Sequence, residues 1–126
     1  MNPKTEELLQ RTFKFGVDTL KFLMTLPKDK VFGIITYQLG KASTSVGSNY
    51  EEAQGAESTK DFNHKIGIVL KETRESNYWL RVLNEIYTNP KSDGELKRLL
   101  KESYELKKIF SAIRIKTQVN SKKKRN

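Results

Sequence analysis

The sequence predicts an all-α fold, an up-down-up-down antiparallel four-helix bundle, and three observations predict it. Four segments, near residues 3–26, 29–53, 59–88 and 93–118, place apolar or small residues in alternating steps of four and three, the period of a helix presenting one continuous stripe. The junctions between them carry helix breakers and turn formers: Pro27, Gln54-Gly55-Ala56-Glu57 and Asn89-Pro90. The connections are short, which sets neighbouring helices antiparallel.

The first helix opens at Asn2-Pro3, an N-cap followed by a residue whose missing N–H would be unpaired there anyway. Leu9, Phe13, Gly16, Leu20 and Leu23 give its core stripe, widened by Phe15, Val17, Phe22 and Met24, and Pro27 closes it. In the second segment Val31, Ile35, Leu39, Ala42, Val46, Asn49 and Ala53 keep helical spacing, although residues 40–49 read as a flexible Gly/Ser loop on propensity alone. Gly33, Gly40 and Gly47 recur every seven residues beside Thr36 and Ser43, a narrow strip along which another backbone can come close, and this favours helix.

Ser58-x-x-Asp61 resembles a capping box and starts the third helix. Its stripe runs Phe62, Ile66, Val69, Thr73, Ser76, Leu80, Leu83 and Tyr87, with Ile68, Trp79, Val82 and Ile86 beside it. Half its circumference wants burial, so the other helices wrap around it. Ser92-x-x-Glu95 is a full capping box opening the fourth helix, whose core positions are Leu96, Leu99, Ser103, Leu106, Phe110 and Ile113, flanked by Leu100 and Ile109. The apolar pattern fails from Val119, so residues 1–120 read as the bundle and 121–126 as a disordered basic tail.

With no cysteine among 126 residues, disulfides, thiolate metal sites and thiol catalysis are excluded. The first residues carry acids and a proline in place of a signal peptide's basic start and apolar core, and no apolar run reaches membrane-spanning length. A cytoplasmic protein with no membrane partner is the expectation. The single histidine, His64, faces away from the core stripe, whereas di-iron bundles need Glu-x-x-His twice. Gly40-Lys41-Ala42-Ser43 lacks the first glycine and the hydroxyl residue of a phosphate loop. No catalytic residue, metal ligand or cofactor is therefore expected.

Charge is the strongest functional signal. The chain's net charge is +9, and in residues 92–126 eleven Lys and Arg against four Asp and Glu leave +7. Lys97, Arg98, Lys101, Lys108 and Lys116 lie opposite or beside the apolar stripe of the last helix, and Lys122, Lys123, Lys124 and Arg125 follow in the tail. Such a set fits phosphate contacts, which confer affinity without reading sequence, and a solvated lysine face is the ordinary alternative. Tyr104 is the one exposed aromatic expected there, which favours backbone or shape recognition over a single-strand platform. Asn49, Glu52, Glu72 and Glu75 are expected to form a polar core layer, exchanging hydrogen bonds or pairing with Arg74, Arg81 or a neighbouring subunit. Phe15, Phe22, Trp79, Val82 and Ile86 exceed what one four-helix core needs, and a homo-oligomer interface is expected at them.

The stretch Ser45-Val46-Gly47-Ser48-Asn49-Tyr50-Glu51-Glu52-Ala53, with Phe62 and Lys71-Glu72-Thr73-Arg74-Glu75-Ser76-Asn77-Tyr78-Trp79-Leu80, resembles the bacterial four-helix-bundle family. That family is also called the S23 ribosomal or 23S rRNA intervening-sequence protein family, and the resemblance spans roughly residues 12–87. Members are related to the accessory variability determinant of diversity-generating retroelements, a basic homopentamer that binds nucleic acid and a reverse transcriptase. The resemblance implies a homo-oligomeric, RNA-associated accessory protein, a pentamer before other numbers, and no enzyme. A scaffold for a protein partner such as a reverse transcriptase is the competing reading.

Overall fold

The computed structural model describes residues 2–125. Helices α1 (Pro3–Leu23), α2 (Lys30–Ala53), α3 (Thr59–Ile86) and α4 (Asp93–Arg125) pack in chain order, and α1 closes the square against α4. Among the described residues there is no strand.

Three helix starts have side-chain caps. Asn2 Oδ1 accepts from the Lys4 N–H at 2.8 Å, Asp29 Oδ1 from Phe32 at 2.9 Å and Ser58 Oγ from Asp61 at 3.0 Å, each satisfying one orphan donor of a first turn. The box expected at Ser92-x-x-Glu95 does not form. The Ser92 hydroxyl is buried without a partner, and Glu95 turns its carboxylate to Arg98 at 2.6 and 2.9 Å. The Ser92 N–H that the box would offer to Glu95 donates instead to the Asn89 carbonyl at 3.1 Å, and the carboxylate takes the cation one turn on. α4 also continues through Arg125, where composition predicts a disordered tail from Ser121. No Gly or Pro follows Gly94, so propagation at one bond per residue continues through Lys and Arg, both good helix formers.

The α3 stripe is the centre of the core: Ile66, Val69, Thr73, Ser76, Leu80 and Leu83 are buried, with Phe62 and Tyr87 partly so. Leu96, Leu99, Ser103, Leu106 and Phe110 meet it from α4. Tyr50 and Phe110 touch diagonally across the bundle, edge to face at 5.2 Å. The buried hydroxyls mostly serve their own helix: Thr73 Oγ1 donates to the Val69 carbonyl at 2.8 Å and Thr12 Oγ1 to that of Leu8 at 2.9 Å. Such groups can face a core because their donor is already satisfied.

The α1 stripe is rotated from its expected position. Leu8, Thr12, Phe15, Gly16, Thr19, Phe22 and Leu23 are buried, while Phe13 and Leu20 are 66% and 42% exposed. Hydrophobicity alone counts Thr12 and Thr19 as polar and so misplaces the face. Phe15 and Phe22 are consequently core residues, not the oligomer contacts the sequence suggests.

α1 and α2 approach closely through their glycines. A Cβ on Gly47 would stand 3.2 Å from the Thr12 carbonyl oxygen, and one on Gly16 would stand 3.3 Å from that of Ser43. Gly40 belongs to the same strip, against Leu20 and Leu23, but Gly33 faces open space. The α1–α4 seam is sparser and is bridged by ions. Arg11 grips Glu102 with two bonds of 2.8 and 2.7 Å and reaches Glu105 at 2.7 Å, while Arg98 bonds Asp18 at 2.8 Å.

Candidate nucleic-acid interface

Three contacts set the antiparallel register of α3 and α4. Lys97 Nζ donates to Asn84 Oδ1 at 2.5 Å, and Asn77 Nδ2 donates to Ser103 Oγ at 2.9 Å. The Arg114 guanidinium occupies the space where a side chain at Gly67 would begin. One residue on from the Asn77–Ser103 pair, each helix turns by about 100°, and because the helices run in opposite directions both turns go toward the same outer face. Tyr78 and Tyr104 occupy that face, 49% and 38% exposed.

The cations of the two helices gather on either side of these rings. Arg74 and Arg81 lie one turn before and one turn after Tyr78, and both are exposed. On α4, Lys97 lies toward one end and Lys107, Lys108 and Arg114 toward the other, while Lys101 stands at the border of this face and also lines the α1–α4 groove with Lys14, Arg98 and Glu105. Lys101, Lys108 and Lys122 share one line, because α4 stays helical over steps of seven residues. Arg81 stands 5.7 Å from the Tyr78 ring centre and Lys107 5.3 Å from that of Tyr104. Arg81 Nε also donates to Asn77 Oδ1 at 3.0 Å, which ties the surface guanidinium to the buried Asn77–Ser103 bond. Among the described residues no carboxylate pairs with Arg74, Arg81, Lys97, Lys101, Lys107, Lys108 or Arg114. Their charge is free to attract an anion.

Several sequence-predicted positions lie elsewhere. Arg98 points to the α1 seam, and its pKa is raised first by the hydrogen bond with Glu95 and then, against some desolvation, by that with Asp18. Asp18 is held below the usual carboxylate range, chiefly by its bond from Lys14 and then by Arg98. Lys116 lines a groove with Lys4, Arg11 and Phe62 on the α1 side. Lys122 is exposed, while the side chains of Lys123, Lys124 and Arg125 lie outside the described residues. Arg74, Arg81, Lys107 and Arg114 are the cations sequence reasoning leaves out of the basic set. The spacing Arg74, Tyr78, Arg81 at helical steps of four and three was the available signal.

The polar core layer does not form within one bundle. Asn49 donates to the Ser45 carbonyl of its own helix at 2.8 Å, and Glu52 is exposed. Glu72 and Glu75 are half-buried on the α2 side of α3, turned away from Arg74 and Arg81, and Glu72 is pushed above the usual carboxylate range by burial and by the charge of Glu75. Trp79 and Val82 pack partly against the core on the same side, and the indole N–H is buried without a partner. Ile86 is half exposed. An exposed apolar surface lies where α1 meets α2: Phe13, Leu20 and Met24, which the sequence assigns to the core face of α1, with Tyr37 of α2 beside Leu20 and Met24, and Met24 79% exposed.

Residues 4–112 match a family described as 23S rRNA-intervening sequence protein. A crystal structure of a protein with unknown function from the S23 ribosomal protein family of Bacteroides thetaiotaomicron VPI-5482 superposes with a TM-score of 0.70. The two sequences are 30% identical, over 84% of this chain and 96% of that one. No curated protein matches this chain. No helix among the described residues is long and apolar enough to cross a membrane.

Proposed function

The chain belongs to the 23S rRNA-intervening sequence protein family, and from that premise we propose that it is a non-enzymatic accessory protein that binds structured RNA through its α3–α4 face. The observation that carries this reading is the convergence of unpaired cations from two helices on one exposed surface, on a chain of net charge +9. Phosphates neutralised there release counterions, so binding weakens linearly in log K against log salt. Contacts of this type position a nucleic acid without reading its bases.

The test is a fluorescence-anisotropy titration of a structured RNA at several salt concentrations. Removing residues 121–126 deletes four tail cations and is expected to flatten the salt slope by about 3 if each touches a phosphate. RNA that binds weakly and without salt dependence would sink the proposal, leaving the protein-scaffold reading with a partner such as a reverse transcriptase.

Self-association is the second part of the proposal, and five copies is the number that the resemblance implies. Several basic faces in one assembly would raise a weak contact to avidity. Its support is the exposed apolar surface of Phe13, Leu20, Met24 and Tyr37, a patch of the kind that marks protein contacts. Light scattering at tens of micromolar is expected to give a multiple of the 14.6 kDa chain mass, and Phe13→Glu with Met24→Glu to return it to one copy. A wild-type mass of one chain overturns this part.

A further inference from the structure

The two tyrosines add something that phosphate binding does not require. Tyr78 and Tyr104 stand level with one another on antiparallel helices, each with a cation near one face and a substantial part of its ring open to solvent. Tyr78 also meets Trp79 nearly at right angles, ring centres 5.1 Å apart at 81°. These contacts restrain the rings before any ligand arrives, which lowers the ordering cost of a stacking contact. Cations flank the pair along both helix directions, Arg74, Lys107 and Lys108 on one side and Arg81 and Lys97 on the other.

We infer that this face takes RNA containing unpaired nucleotides, seating one base against each tyrosine while the flanking cations hold the phosphates before and after them. The inference rests on the RNA-binding reading above and narrows it. A paired duplex buries its base faces in its own stack, so it offers these rings only phosphate, sugar or groove edges. Bulges and loops expose a base face, and unpaired bases stack on tyrosine and on guanidinium planes. Packed helix axes lie about 8–10 Å apart, so the rings take separate bases and do not sandwich one.

Two two-strand RNA duplexes of equal nucleotide number and charge test this, one paired throughout and one carrying a two-nucleotide bulge with 2-aminopurine in it. Wild-type protein is expected to bind the bulged duplex about tenfold more tightly and to change the fluorescence of the analogue. Tyr78→Leu and Tyr104→Leu should each weaken that complex by about fivefold or more, leave the fully paired duplex unaffected, and be rescued by Tyr→Phe, which keeps the ring. Both residues are on the surface, so circular dichroism should show unchanged helix in every variant. Equal affinity for the two duplexes, with salt-dependent binding retained and no effect of the leucine variants, overturns the inference and leaves the RNA-binding reading standing. Failure of wild-type protein to bind either duplex brings down the reading and the inference together.

Discussion

Phe15→Ala is expected to destabilise the bundle by about 3–5 kcal/mol, the usual cost of truncating a buried phenylalanine. Phe15 is 1% exposed and belongs to the continuous core cluster with Phe22, Leu39 and Leu99. Small domains unfold at about 5–15 kcal/mol, so this one change removes a large share of the total. Phe13→Ala, two residues away on an exposed position, should shift protomer stability by no more than about 0.5 kcal/mol and act on assembly instead. Urea unfolding at several protein concentrations separates the two, because only the assembly contribution depends on concentration. The hydrophobic pattern of the sequence makes the opposite assignment, with Phe13 in the core and Phe15 at an interface. A larger loss for Phe13→Ala than for Phe15→Ala at low concentration would overturn the observed rotation of α1.

Neutralising Arg74, Arg81, Lys107 and Lys108 together to Gln is expected to flatten the salt slope of RNA binding by about 3 and to lower affinity on the order of 100-fold at moderate salt. Among the described residues none of the four has a carboxylate partner, so the proposed interface would lose four phosphate contacts at once. Arg98→Gln is the control. Its guanidinium is engaged by Asp18 and Glu95, so slope and affinity should stay near wild type, and the loosened α1–α4 seam should appear only as a small loss of stability. A flattened slope for Arg98→Gln, with none for the fourfold variant, would move the interface to the α1 side.

Much of the fold is legible in the chain because helix formation and burial periodicity are local. The α3 stripe from Ile66 to Leu83 is buried residue for residue as spaced, and α2 is helical through its glycine-rich half. The α1 face is misread because a threonine that bonds its own backbone behaves as a small core residue, as Thr12 does with the Leu8 carbonyl. That bond is invisible to a hydrophobicity scale. The missed cap at Ser92 has a similar origin, since two outcomes compete within one turn and the ion pair of Glu95 with Arg98 prevails.

By itself the sequence determined four helices, their order, the central place of α3 and a basic C-terminal quarter, all of which follow from spacing and charge along the chain. Which cations lie together was decided only in three dimensions. Arg98 is neutralised in part by Asp18, 80 positions away, and Arg74 and Arg81 join the lysines of α4 because Asn77 meets Ser103 and Asn84 meets Lys97. The reason is physical: ion pairing and phosphate attraction act over a few ångströms between side chains, and the distances that settle them come from helix register and rotation, which no single helix carries.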